Sequence, residues 1–341
     1  LRLCKRCVLP ETFPGIRFDD EGVCIFCTRY KGEAGEDSKK ESIRRRFEEL
    51  AAQVRSRAGY HCLLAYSGGK DSSYSLWLLR EKYGLRVLAV TLDNGFASPQ
   101  SFVNIRRVVE AVNADSMIIK PPIELLKRIF GGVAINSPYP PKALERASSI
   151  CNACIALVKN VSLRVALEQR IPLIAFGWSP GQAPISASLF QMNAIMLRQM
   201  HDARSNPLRA IAGNDVLPYL LTEDLLAAHT EFPYSVNVLA FHDYGEEQVL
   251  ERVKQLGWEA PADTDGNSTN CLLNSYANRA HLRKYGFHPY AFEVAGLVRT
   301  GAMTREAGLK SLAELGDDET ASWVAKRLGI ETDKTDTRAG I

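Results

Sequence analysis

The sequence of 341 residues predicts an α/β fold, an open parallel sheet with helices on both faces, preceded by a small cysteine-rich head and followed by a mostly helical carboxyl-terminal region. Three observations predict it. Short apolar runs alternate with helical periodicity between residues 61 and 176, and crossovers of that length join parallel strands. The first 30 residues hold two C-x-x-C pairs among prolines and turn formers, with too little apolar material for a core of their own. Residues 274–315 read as helical, with Gly286, Gly296 and Gly301 as breaks. The expected bounds are 1–35 for the head, 36–58 for a linker helix, 59–240 for the α/β domain, 241–330 for the helical region and 331–341 for a polar tail.

Composition sets the outer limits. With 46% apolar and 24% charged residues, the chain can bury a genuine core. Lys plus Arg is 42 against 39 for Asp plus Glu, a net charge of +3 that neither demands nor excludes a nucleic acid partner. No apolar run approaches the roughly 18 to 20 residues that span a bilayer, and no signal peptide is evident. A cytoplasmic protein without a membrane span is expected.

In the head, Cys4-x2-Cys7-x16-Cys24-x2-Cys27 has the spacing of a four-thiolate zinc knuckle. Zinc would supply the fixing energy that the segment lacks, and a filled shell implies a structural role. Two disulfides are the alternative. A helix from about residue 40 then places Phe47, Leu50, Ala51 and Val54 on one face. Strands are expected at 61–66, 86–91, 116–119 and 172–176, and helices at 72–83, 102–112 and 157–169. Residues 131–141, rich in Gly and Pro, read as a lid or substrate loop. Residues 189–200 and 246–256 read as helices, and 236–240 as a late strand.

The sharpest local signal is Ser67-Gly68-Gly69-Lys70-Asp71-Ser72-Ser73, between a strand and a helix. Gly68 and Gly69 permit close backbone approach to a ligand, and Ser67, Ser72 and Ser73 supply hydroxyls near exposed helix-start amides. An anion there meets the positive helix end, with Lys70 as a point charge. Asp71 would repel a bare phosphate, so a magnesium ion between them is expected. A structural glycine turn is the alternative. The pattern is not G-x-x-x-x-G-K-[ST], which argues against an ordinary P-loop ATPase.

Ser67-Gly68-Gly69-Lys70-Asp71-Ser72 resembles the SGGxDS pyrophosphate loop of the N-type ATP pyrophosphatases, the PP-loop or adenine nucleotide alpha hydrolase-like superfamily. The resemblance covers about residues 60–300 as a fold. It implies that the loop grips the β and γ phosphates of ATP while a nucleophile attacks the α phosphorus, giving an adenylated substrate and pyrophosphate. It also implies that Asp93, after the second strand, orients the nucleotide or helps hold magnesium; an Asp-Asn-Gly turn is the rival reading. Gly177, at the end of a later strand, would lie near the ribose or adenine.

Cys151 and Cys154 form a further C-x-x-C pair, and Cys271 follows about 120 residues later. Three thiolates could hold a 4Fe-4S cluster and leave one iron open for a sulfide or substrate sulfur. A persulfide or redox pair, a second zinc site with a histidine, and three unrelated core thiols are the alternatives. Cys62, on the first strand, reads as a small buried hydrophobe. The triplet resembles that of cluster-dependent tRNA thiolases in the same superfamily. This implies Cys151, Cys154 and Cys271 as cluster ligands, catalytic together with Lys70 and Asp71, a tRNA or small-molecule acceptor, and a sulfur donor protein. Residues 4–10, 18–24, 281–287 and 298–306 resemble the ends of N-acetyl sugar amidotransferases, which implies instead ammonia from a separate glutaminase subunit.

The expected function is ATP-dependent adenylation of an acceptor followed by iron-sulfur-assisted sulfur transfer. The alternatives are amide transfer to a sugar and a non-catalytic nucleotide- or RNA-binding protein. A homodimer is compatible with each. Asp265, near Cys271, could help place substrate or magnesium. Arg283, Lys284, Arg299 and Arg305, with His281, His288 and several rings, form either an acidic-substrate face or solvated helical surfaces.

Overall fold

The computed structural model describes residues 1–30, 32, 34–182, 184–264 and 268–330; Asp265 and the 331–341 tail lie outside them. Six strands, β1 (Cys62–Ala65), β2 (Val87–Leu92), β3 (Asp115–Ile119), β4 (Leu173–Phe176), β5 (Leu189–Gln191) and β6 (Tyr234–Val236), form one sheet in the order β3-β2-β1-β4-β6-β5. Neighbours run parallel except β5, which is antiparallel to β6 at the edge. The central strands are near-continuous apolar runs because both faces are covered, as a parallel sheet requires. Strand order reverses between β1 and β4, which opens a crevice at their carboxyl ends.

Eleven helices of eight or more residues matter for the site: α1 (Ala34–Arg55), α2 (Lys70–Trp77), α3 (Pro99–Ala111), α4 (Ile123–Asn136), α5 (Ser149–Glu168), α6 (Ala194–Ala212), α7 (Glu246–Gln255), α8 (Leu273–Tyr285), α9 (Ala291–Arg299), α10 (Arg305–Ala313) and α11 (Asp318–Leu328). The predicted face of α1 is buried through Phe47, Ala51 and Val54. α5 is the central helix, packed on β1, β2, β4, α4, α6 and α8. Its 20 residues are long and apolar enough, by length and composition, to cross a membrane, which the sequence reading did not anticipate. Here they fill the core, with Ala153, Leu157 and Val161 buried.

The lid expected at 131–141 is a correction, because α4 runs through residues 131–136. Gly131 and Gly132 let helices approach each other: a Cβ on Gly132 would stand 2.6 Å from Ile211 of α6, and one on Gly131 3.1 Å from the Leu328 carbonyl of α11. The helix expected at 189–200 divides into β5 and α6, where Asn193 caps α6 by accepting from the Met196 amide. The late strand ends at Val236, and a 3-10 turn takes Val238–Phe241. Gly296 lies inside α9, not at a break.

The head packs on the carboxyl-terminal helices. Phe13 meets the rings of Phe287 and Phe292, and Arg305 donates to the carbonyls of Cys4 and Cys7 at 3.0 to 3.3 Å.

Candidate functional site

Cys4, Cys7, Cys24 and Cys27 are buried thiols, not disulfides. Their sulfurs all lie within 4.8 Å of one another, the one such group of three or more Cys, His, Asp or Glu ligand atoms among the described residues. The Cys4–Cys27 and Cys7–Cys24 separations are 3.9 and 3.7 Å. Sulfurs placed tetrahedrally about 2.3 Å from one zinc ion would be about 3.8 Å apart. The amides of Cys7 and Cys24 both donate to the Cys4 sulfur. The bond between Cys7 and Cys24 pushes Cys24 down to about 5 and Cys7 up, while burial pushes Cys27 up to about 12. Four buried thiols crowded around one point at that spacing fit a tetrahedral metal ion.

The loop after β1 enters α2 with Gly69 as its N-cap. Gly68 has φ +76°, and a Cβ there would sit 2.6 Å from the Ser101 carbonyl oxygen, so both conformation and space require glycine. Trp258 holds the Gly68 carbonyl from the other side at 2.9 Å. Gly177, at the end of β4, lies against the start of α2: a Cβ on it would stand 2.5 Å from Ser72 Cα. The Ser67 and Ser72 hydroxyls are 3.1 Å apart, and Ser72 donates to the Gly69 carbonyl. Ser73 turns away from them, with its hydroxyl buried against Tyr66 and its amide donating to Gly69.

Lys70 Nζ is 3.3 Å from Asp71 and 3.5 Å from Glu246, and donates to the Tyr244 hydroxyl at 3.0 Å. Tyr244 in turn donates to Asp71 Oδ1 at 2.7 Å. Burial opposes the Lys70 charge, but Asp71, Tyr244 and Glu246 outweigh it and hold the ammonium above its ordinary range. A cavity of about 310 Å³ opens in front of these groups, lined also by Ser179, Thr269 and Glu293. Glu293 is half-buried and accepts from the Ser179 hydroxyl. Burial raises it to about 7, against the opposing pull of Ser179 and Gln182. Four carboxylates, Asp71, Glu246, Glu293 and Glu314, line this one cavity and suit a hard cation that shares phosphate oxygens. Asp93 stands elsewhere: one oxygen accepts from the Gly95 amide at 2.8 Å and the other faces Lys120 at 2.9 Å, so it shapes the turn after β2.

Asn94, its neighbour, reaches the second thiol group. Its amide nitrogen is 3.6 Å from Cys154 Sγ and 3.4 Å from Cys271 Sγ. Cys151 donates to Asn274 at 3.3 Å. Burial pushes Cys154 up to about 12, and the charges of Cys271 and Cys151 push the same way. Cys154 and Cys271 thus meet at one amide, and Cys151 stands one helical turn before Cys154 on α5; the three are not a set within 4.8 Å as the head sulfurs are. Three thiols are the donor chemistry that an iron-sulfur cluster uses.

Residues 269–271 join the two sites. Thr269 accepts from the Lys70 amide at 3.2 Å, the Asn270 carbonyl accepts from Ser98 and Ser101, and Cys271 pairs with Ala97 beside Asn94. The end Cα atoms of a tripeptide lie at most about 7 Å apart.

Sequence reasoning missed Asn94, Thr269, Tyr244, Glu246 and Glu293 as site residues. Glu293 had a signal, as the one acid in the apolar stretch AFEVAGLV. The others had none in their local pattern. His281 and His288 are buried, and burial lowers them to about 4 and 3, which makes them neutral core groups at pH 7.

No family model matches the chain. An uncharacterized protein of Methanocaldococcus jannaschii is 26% identical over 312 residues, 91% of this chain and 92% of that protein. Argininosuccinate synthase of Dehalococcoides mccartyi is 32% identical over 117 residues, 34% of this chain but only 27% of that protein. Distant similarity to a PP-loop ATP pyrophosphatase superfamily member thus accompanies the Rossmann-like core. Among solved structures, a U34-tRNA thiolase from Methanococcus maripaludis with its 4Fe-4S cluster aligns at 16% identity and TM-score 0.34, over 89% of this chain and 87% of that one. NMN synthetase from Francisella tularensis aligns at 12% identity and TM-score 0.36, over 86% and 98%.

Proposed function

We propose that the chain is an ATP-dependent adenylating enzyme that transfers sulfur to its activated acceptor. The observation that carries this reading is the tripeptide 269–271, which touches the glycine loop at Lys70 and carries Cys271 beside Asn94 and Cys154. Chemistry at the α phosphorus and at the thiols is then one neighbourhood. In the first step an acceptor oxygen attacks the α phosphorus, the bond to the bridging oxygen breaks, and pyrophosphate leaves. The start of α2, Lys70 and a magnesium ion at Asp71 would hold that leaving group more tightly as its charge grows. Tyr244 positions both Lys70 and Asp71. In the second step hydrosulfide attacks the activated carbon, the carbon–oxygen bond breaks, and AMP leaves with the electron pair while the sulfur proton passes to solvent.

Cys151, Cys154 and Cys271 would hold a 4Fe-4S cluster, which supplies an open iron able to bind sulfide. Zinc would sit in the head and fix it structurally. The acceptor is a tRNA or a small molecule, and a sulfur donor protein would supply the sulfide.

Anaerobic purification with iron, labile sulfide and zinc assays tests the reading. Zinc together with equal amounts of iron and sulfide is expected, with iron alone lost in Cys151→Ser. A colourless protein holding only zinc after reconstitution would remove the sulfur step. AMP and pyrophosphate formation that depends on ammonia, with a glutaminase co-purifying, would replace it with the amide transfer that the chain ends suggest.

A further inference from the structure

We propose that the cavity between α5, α6 and the loop after β4 binds the acceptor, and that this acceptor is a small molecule carrying a phosphate and a flat ring, of the nucleotide class. The inference names the substrate class of the adenylation reading above and rests on it.

The cavity measures about 550 Å³, within the range of small-molecule sites. Among the described residues Arg146, Lys159 and Arg204 line it, and no carboxylate does. Among the described residues neither Lys159 nor Arg204 forms a salt bridge, and the nearby acid Glu145 is engaged by Lys142 at 2.7 Å. Lys159 Nζ instead stands 4.2 Å from the centre of the Trp178 ring and 5.4 Å from that of Phe176. Burial, and then the charge of Arg204, pushes Lys159 well below the ordinary ammonium range; burial lowers Arg204 as well. Half-buried cations that share one cavity without a carboxylate leave it positive, so the partner it suits is an anion. The Tyr139 hydroxyl, also in the wall, is buried without a hydrogen-bond partner among the described residues and offers a further polar contact. Tyr139, Trp178 and Tyr290 supply flat apolar surfaces for a ring.

Position argues for the acceptor. Cys151 lines this cavity, while Gln182 and Tyr290 line both it and the cavity before Lys70 and Asp71. The triphosphate of ATP already has Lys70 and the start of α2, so three further cations call for a second anion. An RNA would need basic side chains tracking its phosphates along an open surface. Here the cations gather around one pocket sized for a single nucleotide.

Titration calorimetry on the full chain tests this with CMP, GMP and UMP, their nucleosides, and a non-hydrolysable ATP analogue with magnesium as a separate readout. At least one monophosphate should bind roughly tenfold or more tighter than its nucleoside. Lys159→Gln and Arg204→Gln should each weaken that binding by roughly tenfold and leave the ATP analogue within about twofold. Asp71→Asn should do the reverse. Arg146→Gln, at the exposed rim, tests the same point if the half-buried replacements fail to fold. Three monophosphates that bind no better than nucleosides would overturn the proposal. So would equal weakening of both ligands by Lys159→Gln, which would give the cavity to ATP, or Lys159-dependent binding of an RNA hairpin alone. Loss of ATP-analogue binding in the unaltered chain, with monophosphate binding intact, would count against adenylation and not against this pocket.

Discussion

Asp71 is fixed before any ligand arrives, since Tyr244 donates to one oxygen and Lys70 pairs with the carboxylate. Asp71→Asn keeps the size and removes the charge that magnesium needs. Pyrophosphate release should fall by about two orders of magnitude or more, as at other sites stripped of one electrostatic partner. Release at the unaltered rate would reject that role. Glu293 gives a pH signature of the opposite kind. Burial raises it from 4.5 to about 7, and a carboxyl raised on folding stabilises most at low pH and loses that contribution as pH climbs through its folded value. Glu293→Gln should therefore gain stability over the parent chain between about pH 5 and pH 8, by at most roughly 3 kcal/mol. Urea melts at the two pH values check this, and a constant difference would refute it. The loop Ser67 to Ser72 was legible because its chemistry is contiguous. Ser72 and Ser73 could not be told apart, because one residue of helix turns a side chain by about 100°, enough to send one hydroxyl to the loop and the other to Tyr66. Tyr244 reaches Asp71 across 173 residues, and no local pattern encodes that distance.

Between elements, the tightest constraint is the contact of β4 with α2 at Gly177. Gly177→Ala would drive a methyl to within 2.5 Å of Ser72 Cα, a backbone atom that cannot move without shifting the start of α2. We expect a loss of about 1 to 3 kcal/mol together with weaker binding of the ATP analogue, measured by thermal melts with and without it. Stability lost with the ligand-induced shift intact would separate packing from the site. β1, β2 and β4 were legible because strands buried on both faces are written as short apolar runs. β5 was not, since three residues ahead of an apolar helix carry no period of their own. Gly131 and Gly132 misled for a related reason: glycine marks a loop by its freedom and a helix contact by its small size, and only the neighbouring Ile211 and Leu328 distinguish the two.

Across the whole molecule, the two ends of the chain stabilise each other. Arg305 of α10 grips the carbonyls of Cys4 and Cys7, while Phe13 packs between Phe287 and Phe292, next to the helix that carries Glu293 into the cavity. A metal ion in the head would therefore order more than the head, because α9 packs against the cluster that contains the four cysteines. Chelation should lower the melting temperature and raise amide exchange in residues 287–298 as well as in 4–27. Arg305→Met should weaken the same coupling by about 1.5 to 3 kcal/mol, the usual worth of hydrogen bonds from a charged donor, and should make zinc easier to remove. Hydrogen exchange at both segments before and after chelation decides it: a head that loosens while 287–298 keeps its protection would mean that the ends touch without supporting one another.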